Sequence, residues 1–258
     1  MSGTVYLVGA GPGAVDLLTV RAARLLGEAE VVFHDALIGD EVLGLASRAR
    51  KVAVGKRCGR HAAAQRFINK QLADAARRYN TVVRLKGGDP MLFGRAHEEL
   101  SFLEGRGVRV EVVPGVTAAL AASAQLGISL TRRGCARSVA FVTPRVGHGE
   151  NESGWVAAVL AADSAAIYMG AGEAEAIAAA LIAAGKPAHT PVALVEDASL
   201  PCTRVQYAAL QDLPGLATRG GPTLILLGEV YREALLEAAA MLRRRTGLAA
   251  ATSLRLLK

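Results

Sequence analysis

Two glycine-proline loops, Gly9-Ala10-Gly11-Pro12-Gly13 and Gly87-Gly88-Asp89-Pro90, each follow directly on a short β-branched run, residues 5–8 and 81–85. A strand that ends in glycines lets a ligand approach bare backbone, because no Cβ stands in the way. Two such endings point to a small molecule held at the carboxyl ends of parallel strands. That requirement limits the folds open to the chain more than any other feature.

The surrounding pattern agrees. In the first half, strand-like runs at residues 5–8, 31–33, 51–54, 82–85 and 110–113 alternate with helical periodicity at 20–26, 62–79 and 96–104, with Thr19 as the cap of the first helix. Such alternation implies a mostly parallel sheet covered on both faces. Past Pro114-Gly115 an alanine-rich helix over 117–126, capped by Thr117, opens a second half. Strands are expected there at 139–143, 166–169, 192–195, 204–207 and 223–227, and helices at 173–184 and 232–243, with a polar loop at 144–154. The sequence thus predicts an α/β protein of two α/β domains, residues 1–114 and 115–246, with a cleft between them. Residues 247–258 are expected to form a weakly ordered tail.

Composition narrows the function. Hydrophobic residues make up 52% of the 258, yet aromatics only 4%, so the core is expected to be built from Ala, Leu and Val. No uninterrupted apolar stretch is long enough for a bilayer, and the strand-like start predicts no secretory leader. The three cysteines, Cys58, Cys135 and Cys202, are far apart, and the five histidines are scattered. A reduced, cytoplasmic protein without a metal site is the expectation. The formal charge of +7 admits a solubilising surface, nucleic acid or a polyanionic small substrate. Arg243-Arg244-Arg245 ends a helix, where cations are favoured without any ligand. Lys56-Arg57-Cys58 with Arg60, and Arg132-Arg133 with Arg137, are better candidates for binding. No aromatics are interleaved with them, which speaks against single-stranded nucleic acid.

Taken alone, Gly9-x-Gly11-x-x-Ala14, with Asp35 beyond the second strand, fits a dinucleotide-binding pattern. Two details weigh against a nicotinamide dinucleotide. Pro12 removes a backbone donor from the loop, and the helix is expected only from Thr19, too far along to face a pyrophosphate.

The motifs are more specific in combination. Val8-Gly9-Ala10-Gly11-Pro12-Gly13, Val54-Gly55-Lys56-Arg57, Arg84-Leu85-Lys86-Gly87-Gly88-Asp89-Pro90, Val113-Pro114-Gly115-Val116-Thr117-Ala118, Tyr168-Met169-Gly170 and Pro191-Val192-Ala193-Leu194-Val195-Glu196 occur in that order. Together they resemble the tetrapyrrole methylase family over residues 5–230. The resemblance implies a cofactor cleft between the two domains that takes S-adenosylmethionine. It places Pro12, Gly87, Gly88, Asp89, Leu92, Thr117, Ala118, Met169 and Ala198 around that cofactor. It also implies a homodimer, a tetrapyrrole substrate, and transfer of two methyl groups to C-2 and C-7 of uroporphyrinogen III to give precorrin-2. In-line displacement at a sulfonium needs neither metal nor protein nucleophile, only alignment and exclusion of water.

On the substrate side the resemblance makes Asp35 the base, Lys56 the proton donor and Arg95 a group that handles substrate or proton. Arg57, Glu98 and Arg137 are placed against the substrate. Eight carboxylates on the tetrapyrrole rim suit a basic trough. Plainer roles stay open: a turn residue at Asp35, a solvated charge at Lys56, core packing at Met169 and a helix cap at Thr117. Ala14 and the Ala96-His97 pair depart from the family pattern, the second at the expected rim of the substrate trough. The chain length predicts no appended dehydrogenase or ferrochelatase domain. The remaining alternatives are methylation of a later precorrin, methylation of ribosomal RNA, or a cofactor-binding module without catalysis.

Overall fold

The computed structural model describes residues 3–54, 61–147 and 153–246. The expected tail at 247–258 and the Lys56-Arg57 pair lie outside the described residues. Contacts divide the chain into two compact units. One comprises Met1–Leu126, Val146–Asn151 and Asp197–Thr203; the other comprises Gly127–Arg145, Glu152–Glu196 and Arg204–Lys258.

The first unit holds strands β1 (Thr4–Gly9), β2 (Val31–His34), β3 (Arg50–Ala53), β4 (Thr81–Lys86) and β5 (Arg109–Val113). They form one five-stranded sheet in the order β3-β2-β4-β1-β5, and every pairing is parallel. The helices are α1 (Val20–Glu28), α2 (Asp40–Gly44), α3 (His61–Ala76), α4 (Ala96–Glu104) and α5 (Ala118–Leu126). Thr19 caps α1, its side chain accepting from the Ala22 amide at 3.1 Å. Side chains alternate across the sheet. Val5, Leu7 and Val82 face a cluster with Leu72 of α3 and Leu103 of α4, while Val8, Val83 and Leu85 face one with Leu25 and Leu26 of α1 and Val42 of α2. Burying each such aliphatic side chain contributes about 1.5–3 kcal/mol.

The second unit holds β6 (Val139–Val142), β7 (Ser164–Tyr168), β8 (Pro191–Glu196), β9 (Arg204–Ala209) and β10 (Thr223–Gly228), with α6 (Trp155–Ala161), α7 (Ala174–Ala183) and α8 (Arg232–Thr246). Its sheet runs β6-β7-β10-β8-β9. Only β6 and β7 are parallel; β10 runs antiparallel to β7 and β8, and β9 antiparallel to β8. Val159, Ile177, Leu181, Leu210 and Leu213 cover one face of it. Among the described residues no helix is long and apolar enough to cross a membrane.

Candidate cofactor and substrate site

The first sheet has a topological switch point at β1 and β4. These strands are neighbours, yet the chain leaves β1 for α1 on one face and leaves β4 for α4 on the other. In an open parallel sheet a crevice forms outside the carboxyl ends of such a pair, and ligands bind there. The two glycine loops emerge at that place and are joined to each other. Gly11 N donates to Gly88 O at 3.2 Å, and Gly88 N donates to Gly11 O at 2.7 Å.

The glycines have separate tasks. A Cβ on Gly9 would come within 2.6 Å of Gly115 N, and one on Gly115 within 2.3 Å of Gly88 O. Gly9, Gly88 and Gly115, from the ends of β1, β4 and β5, therefore pack backbone on backbone. Gly88 also has φ +66°, a conformation that other residues adopt only with strain. Among the described residues an added Cβ at Gly87 would meet only the Leu37 side chain, at 3.7 Å, and one at Gly88 nothing nearer than Thr117 Cα at 3.9 Å. The space in front of these two residues is what a main-chain cradle for a ligand requires.

Asp89 ties the loops together: Oδ1 accepts from Met91 N at 2.8 Å and Oδ2 from Gly115 N at 2.9 Å. Leu92 N donates to Asp89 O, closing a turn. Thr117 is buried, and its carbonyl accepts from the Leu120 and Ala121 amides, which starts α5 with Ala118 as its first residue. Pro12 is half-buried beside the Gly11–Gly88 bridge. Ala198 is buried between Asp197 and Ser199, whose φ values are +53° and +75°. Its segment is docked on the first unit: Ser199 Oγ accepts from Ala14 N at 3.1 Å, and Ser199 N donates to Gln125 Oε1 at 2.9 Å. Eight of the nine expected cofactor residues thus belong to one unit, around the ends of β1, β4 and β5.

Asp35 follows β2. Its Oδ1 accepts from Leu37 N at 3.2 Å, so it does hold a turn, and its Oδ2 lies 3.9 Å from Arg84 Nη2. Arg84 belongs to an ionic cluster that the sequence reading passed over. Arg84 and Lys86 stand at alternate positions of β4 and so point to the same side, toward α3 and α4. Arg84 Nε donates to Glu99 Oε1 at 3.3 Å, Lys86 Nζ to Glu99 Oε2 at 2.9 Å, and Gln65 Nε2 to Glu99 Oε1 at 3.1 Å. Glu99 is 0% exposed, and both cations are buried. Burial pushes the Lys86 ammonium below the usual lysine range, with Glu99 opposing the shift. The signal was present in the sequence: two cations in a strand buried on both faces must find an anion within the protein.

Arg95, at φ +55°, precedes α4 and grips Glu98 with two nitrogens, Nε to Oε1 at 2.6 Å and Nη2 to Oε2 at 2.8 Å. These two expected substrate residues are therefore paired, Arg95 just before α4 and Glu98 in its first turn. Met169 and Arg137 belong to the second unit. Met169 directly follows β7, at φ +57°, and is 45% exposed. For a long side chain that conformation is strained, as is common in residues that serve a site. Arg137 precedes β6, where its backbone N–H donates to Asp163 Oδ2 at 2.8 Å. Because β6 and β7 are parallel, Arg137 and Met169 stand at opposite edges of that sheet.

A dinucleotide site is poorly served by this geometry. A 3-10 turn over Val15–Leu17 separates Gly13 from α1, so no helix N-terminus opens on the glycine loop.

Fold and site together define an open α/β protein with a backbone-lined candidate ligand site at the switch point of its parallel sheet. The chain belongs to the tetrapyrrole (corrin/porphyrin) methylase family, whose model it matches over residues 4–214. It is 44% identical over 234 residues to a siroheme synthase of Psychrobacter sp. strain PRwf-1, covering 89% of this chain and 48% of that one. The chain spans about half the length of the curated relatives it matches. Among solved structures, it is 43% identical to a uroporphyrin-III C-methyltransferase from Thermus thermophilus complexed with S-adenosyl homocysteine, at a TM-score of 0.79 over 90% of this chain and all of that one. A cobalt precorrin-4 methyltransferase is similar at 26% identity and TM-score 0.74, over 88% of this chain and 95% of that one.

Proposed function

We propose that the protein transfers two methyl groups from S-adenosylmethionine to C-2 and C-7 of uroporphyrinogen III, giving precorrin-2. The observation that carries this reading is the joined pair of glycine loops at the β1/β4 switch point, open in front of Gly87 and Gly88. A complex of the similar Thermus enzyme with S-adenosyl homocysteine supports the same choice of cofactor. When bound, S-adenosylmethionine supplies a methyl group already activated for displacement by a ring carbon.

The chain's own residues then have positional tasks. Gly87 and Gly88 offer main chain, Asp89 holds their loop against Gly115, and Pro12, Leu92, Thr117, Ala118 and Ala198 complete the cradle, with Met169 a proposed contributor from the second unit. Asp35, whose side chain is 30% exposed, is the proposed base that takes the proton lost from the methylated ring. Arg95 and Glu98 serve the substrate side, as do Lys56, the proposed donor, and Arg57. Arg137, just before β6, stands a strand's length from Met169.

The test is the mass of the product formed from uroporphyrinogen III with S-adenosylmethionine. Two methyl groups gained supports the reading; no gain by a protein that binds S-adenosylhomocysteine favours a later precorrin, in line with the likeness to the cobalt precorrin-4 enzyme. Gly87→Ala makes the cradle itself testable. Its Cβ fits the fold, so the midpoint of unfolding should hold while cofactor affinity falls by roughly tenfold, about 1.4 kcal/mol. Unchanged affinity would place the cofactor elsewhere.

A further inference from the structure

We propose that Arg84 is a positioning residue that acts through Asp35, and that Glu99 and Lys86 serve to aim it. The inference rests on the reading of Asp35 as the base.

The argument begins with charge. Arg84 and Lys86 bring two cations into the layer between β4 and helices α3 and α4, where Glu99 supplies one carboxylate. One positive charge is left over in a place where uncompensated charge is costly. Among the described residues Asp35 is the other carboxylate paired with the cluster: its Oδ2 lies 3.9 Å from Arg84 Nη2, and its charge also acts on Lys86. With Asp35 ionised, the four charges cancel.

Direction comes next. Arg84 Nε is committed to Glu99 Oε1, and Nη1 donates to Leu85 O at 2.9 Å. A guanidinium is planar and its donors diverge at fixed angles, so two fixed nitrogens decide where the third points. Nη2 lies 3.9 Å from Asp35 Oδ2, within ion-pair range. Glu99 is itself fixed by Lys86 and by Gln65, which also donates to Asn69 Oδ1 at 2.9 Å. The chain of contacts thus runs from α3 through α4 and β4 to the carboxylate after β2. It meets Asp35 on the oxygen that the Leu37 amide leaves free. The Asp35 side chain retains 30% of its exposure while that of Arg84 keeps 6%, so the cluster stays covered and the carboxylate stays reachable.

A double-mutant cycle tests this. Wild type, Arg84→Gln, Arg84→Lys, Asp35→Asn and the Arg84→Gln/Asp35→Asn double variant are compared in steady-state methylation of uroporphyrinogen III, in S-adenosylhomocysteine calorimetry and in thermal unfolding. Arg84→Gln should lower kcat by roughly tenfold to a hundredfold while KM and S-adenosylhomocysteine affinity stay within about threefold. Arg84→Lys should recover part of the loss. The double variant should be no slower than Asp35→Asn alone, since a residue that acts through another has nothing to add once that one is gone. Multiplied losses, or full kcat in Arg84→Gln, would overturn the proposal; should Arg84→Gln not fold, Arg84→Lys completes the cycle. Asp35→Asn at full turnover removes the base and Arg84's role with it. A wild type that binds S-adenosylhomocysteine yet methylates no uroporphyrinogen breaks the functional reading instead. The cycle is then read in unfolding midpoints, where additive shifts refute the pairing and coupled shifts uphold it.

Discussion

The two sheets have five strands each, and they gather their loops in opposite ways. In the first, all strands run parallel, so every β-to-α turn opens on one edge, and the ends of β1, β4 and β5 meet through Gly9, Gly88 and Gly115. In the second, β6, β7 and β8 run one way and β9 and β10 the other, so turns open on both edges; Arg137, before β6, and Met169, after the parallel β7, are parted by the length of a strand. The same number of strands therefore concentrates candidate residues in one unit and disperses them in the other. Parallel topology, rather than residue type, assembles the cradle.

The sharpest way to break this comparison is to place a side chain where backbones meet. Gly115→Val should unfold the first unit or cost more than about 4 kcal/mol, because the obstruction is carbonyl and amide rather than a yielding side chain. Gly172→Ala in the second unit meets nothing within 4 Å and should change stability by less than about 0.5 kcal/mol. Urea unfolding of both variants decides it, and a well-folded Gly115→Val would show that the three strand ends need not touch.

Buried carboxylates give the next largest contrast. Glu99 answers two cations, whereas Glu196 in the second unit accepts from the backbone amides of Arg219 and Gly221. Glu99→Gln leaves two buried cations without their anion and should cost about 3–5 kcal/mol. Glu196→Gln keeps an acceptor for both amides and should cost about 1–2 kcal/mol. Equal losses in chemical denaturation would mean that the cluster is no more demanding than a main-chain staple.

The smallest effects are in pH: stability rises with pH in both units, in the acid range for Asp163 and in the alkaline range for Lys86. Asp163 is held below the usual carboxylate range by backbone N–H donation from Arg137 and by the Ser138 hydroxyl and amide. Its folded form binds fewer protons than the unfolded chain near pH 3.8, so its stabilisation is complete above that pH and is lost as pH falls through the lowered value. Lys86, lowered by burial, also binds fewer protons when folded. Stability should therefore rise as pH climbs through its folded value toward 10.5. Thermal midpoints across pH should show Asp163→Asn matching wild type only in strong acid, and Lys86→Met losing the alkaline rise. A wild-type-like alkaline slope in Lys86→Met would assign it to another group.

Much of this architecture was legible in the residues. The ten strand-like runs all became strands, since β-branched clusters bounded by glycine and proline declare themselves locally. Asp40–Gly44 and Trp155–Ala161 were missed as helices, being too short to show a helical period. The helix expected over 62–79 stops at Ala76, with the Tyr79 amide still donating to Ala75 O in a closing turn. The antiparallel pairing of β8, β9 and β10 was not legible, because a strand's composition says little about its partner. At the site, the glycine loops were read, but the mutual packing of Gly9 and Gly115 was not. The Arg84–Glu99–Lys86 cluster escaped because its anion comes from a helix thirteen residues beyond Lys86.

Residues 197–203 follow β8 of the second sheet yet belong to the first unit, where Ser199 meets Ala14 and Gln125. The boundary between the units is thus not a point on the polypeptide. A fragment ended at Leu126 would keep five strands and both glycine loops but lose Ser199, stripping the Ala14 amide and the Gln125 side chain of their partner. Dissecting this protein into working halves calls for five cuts, because the first unit is assembled from three separate segments, and it is finished only after the ribosome has made more than half of the second.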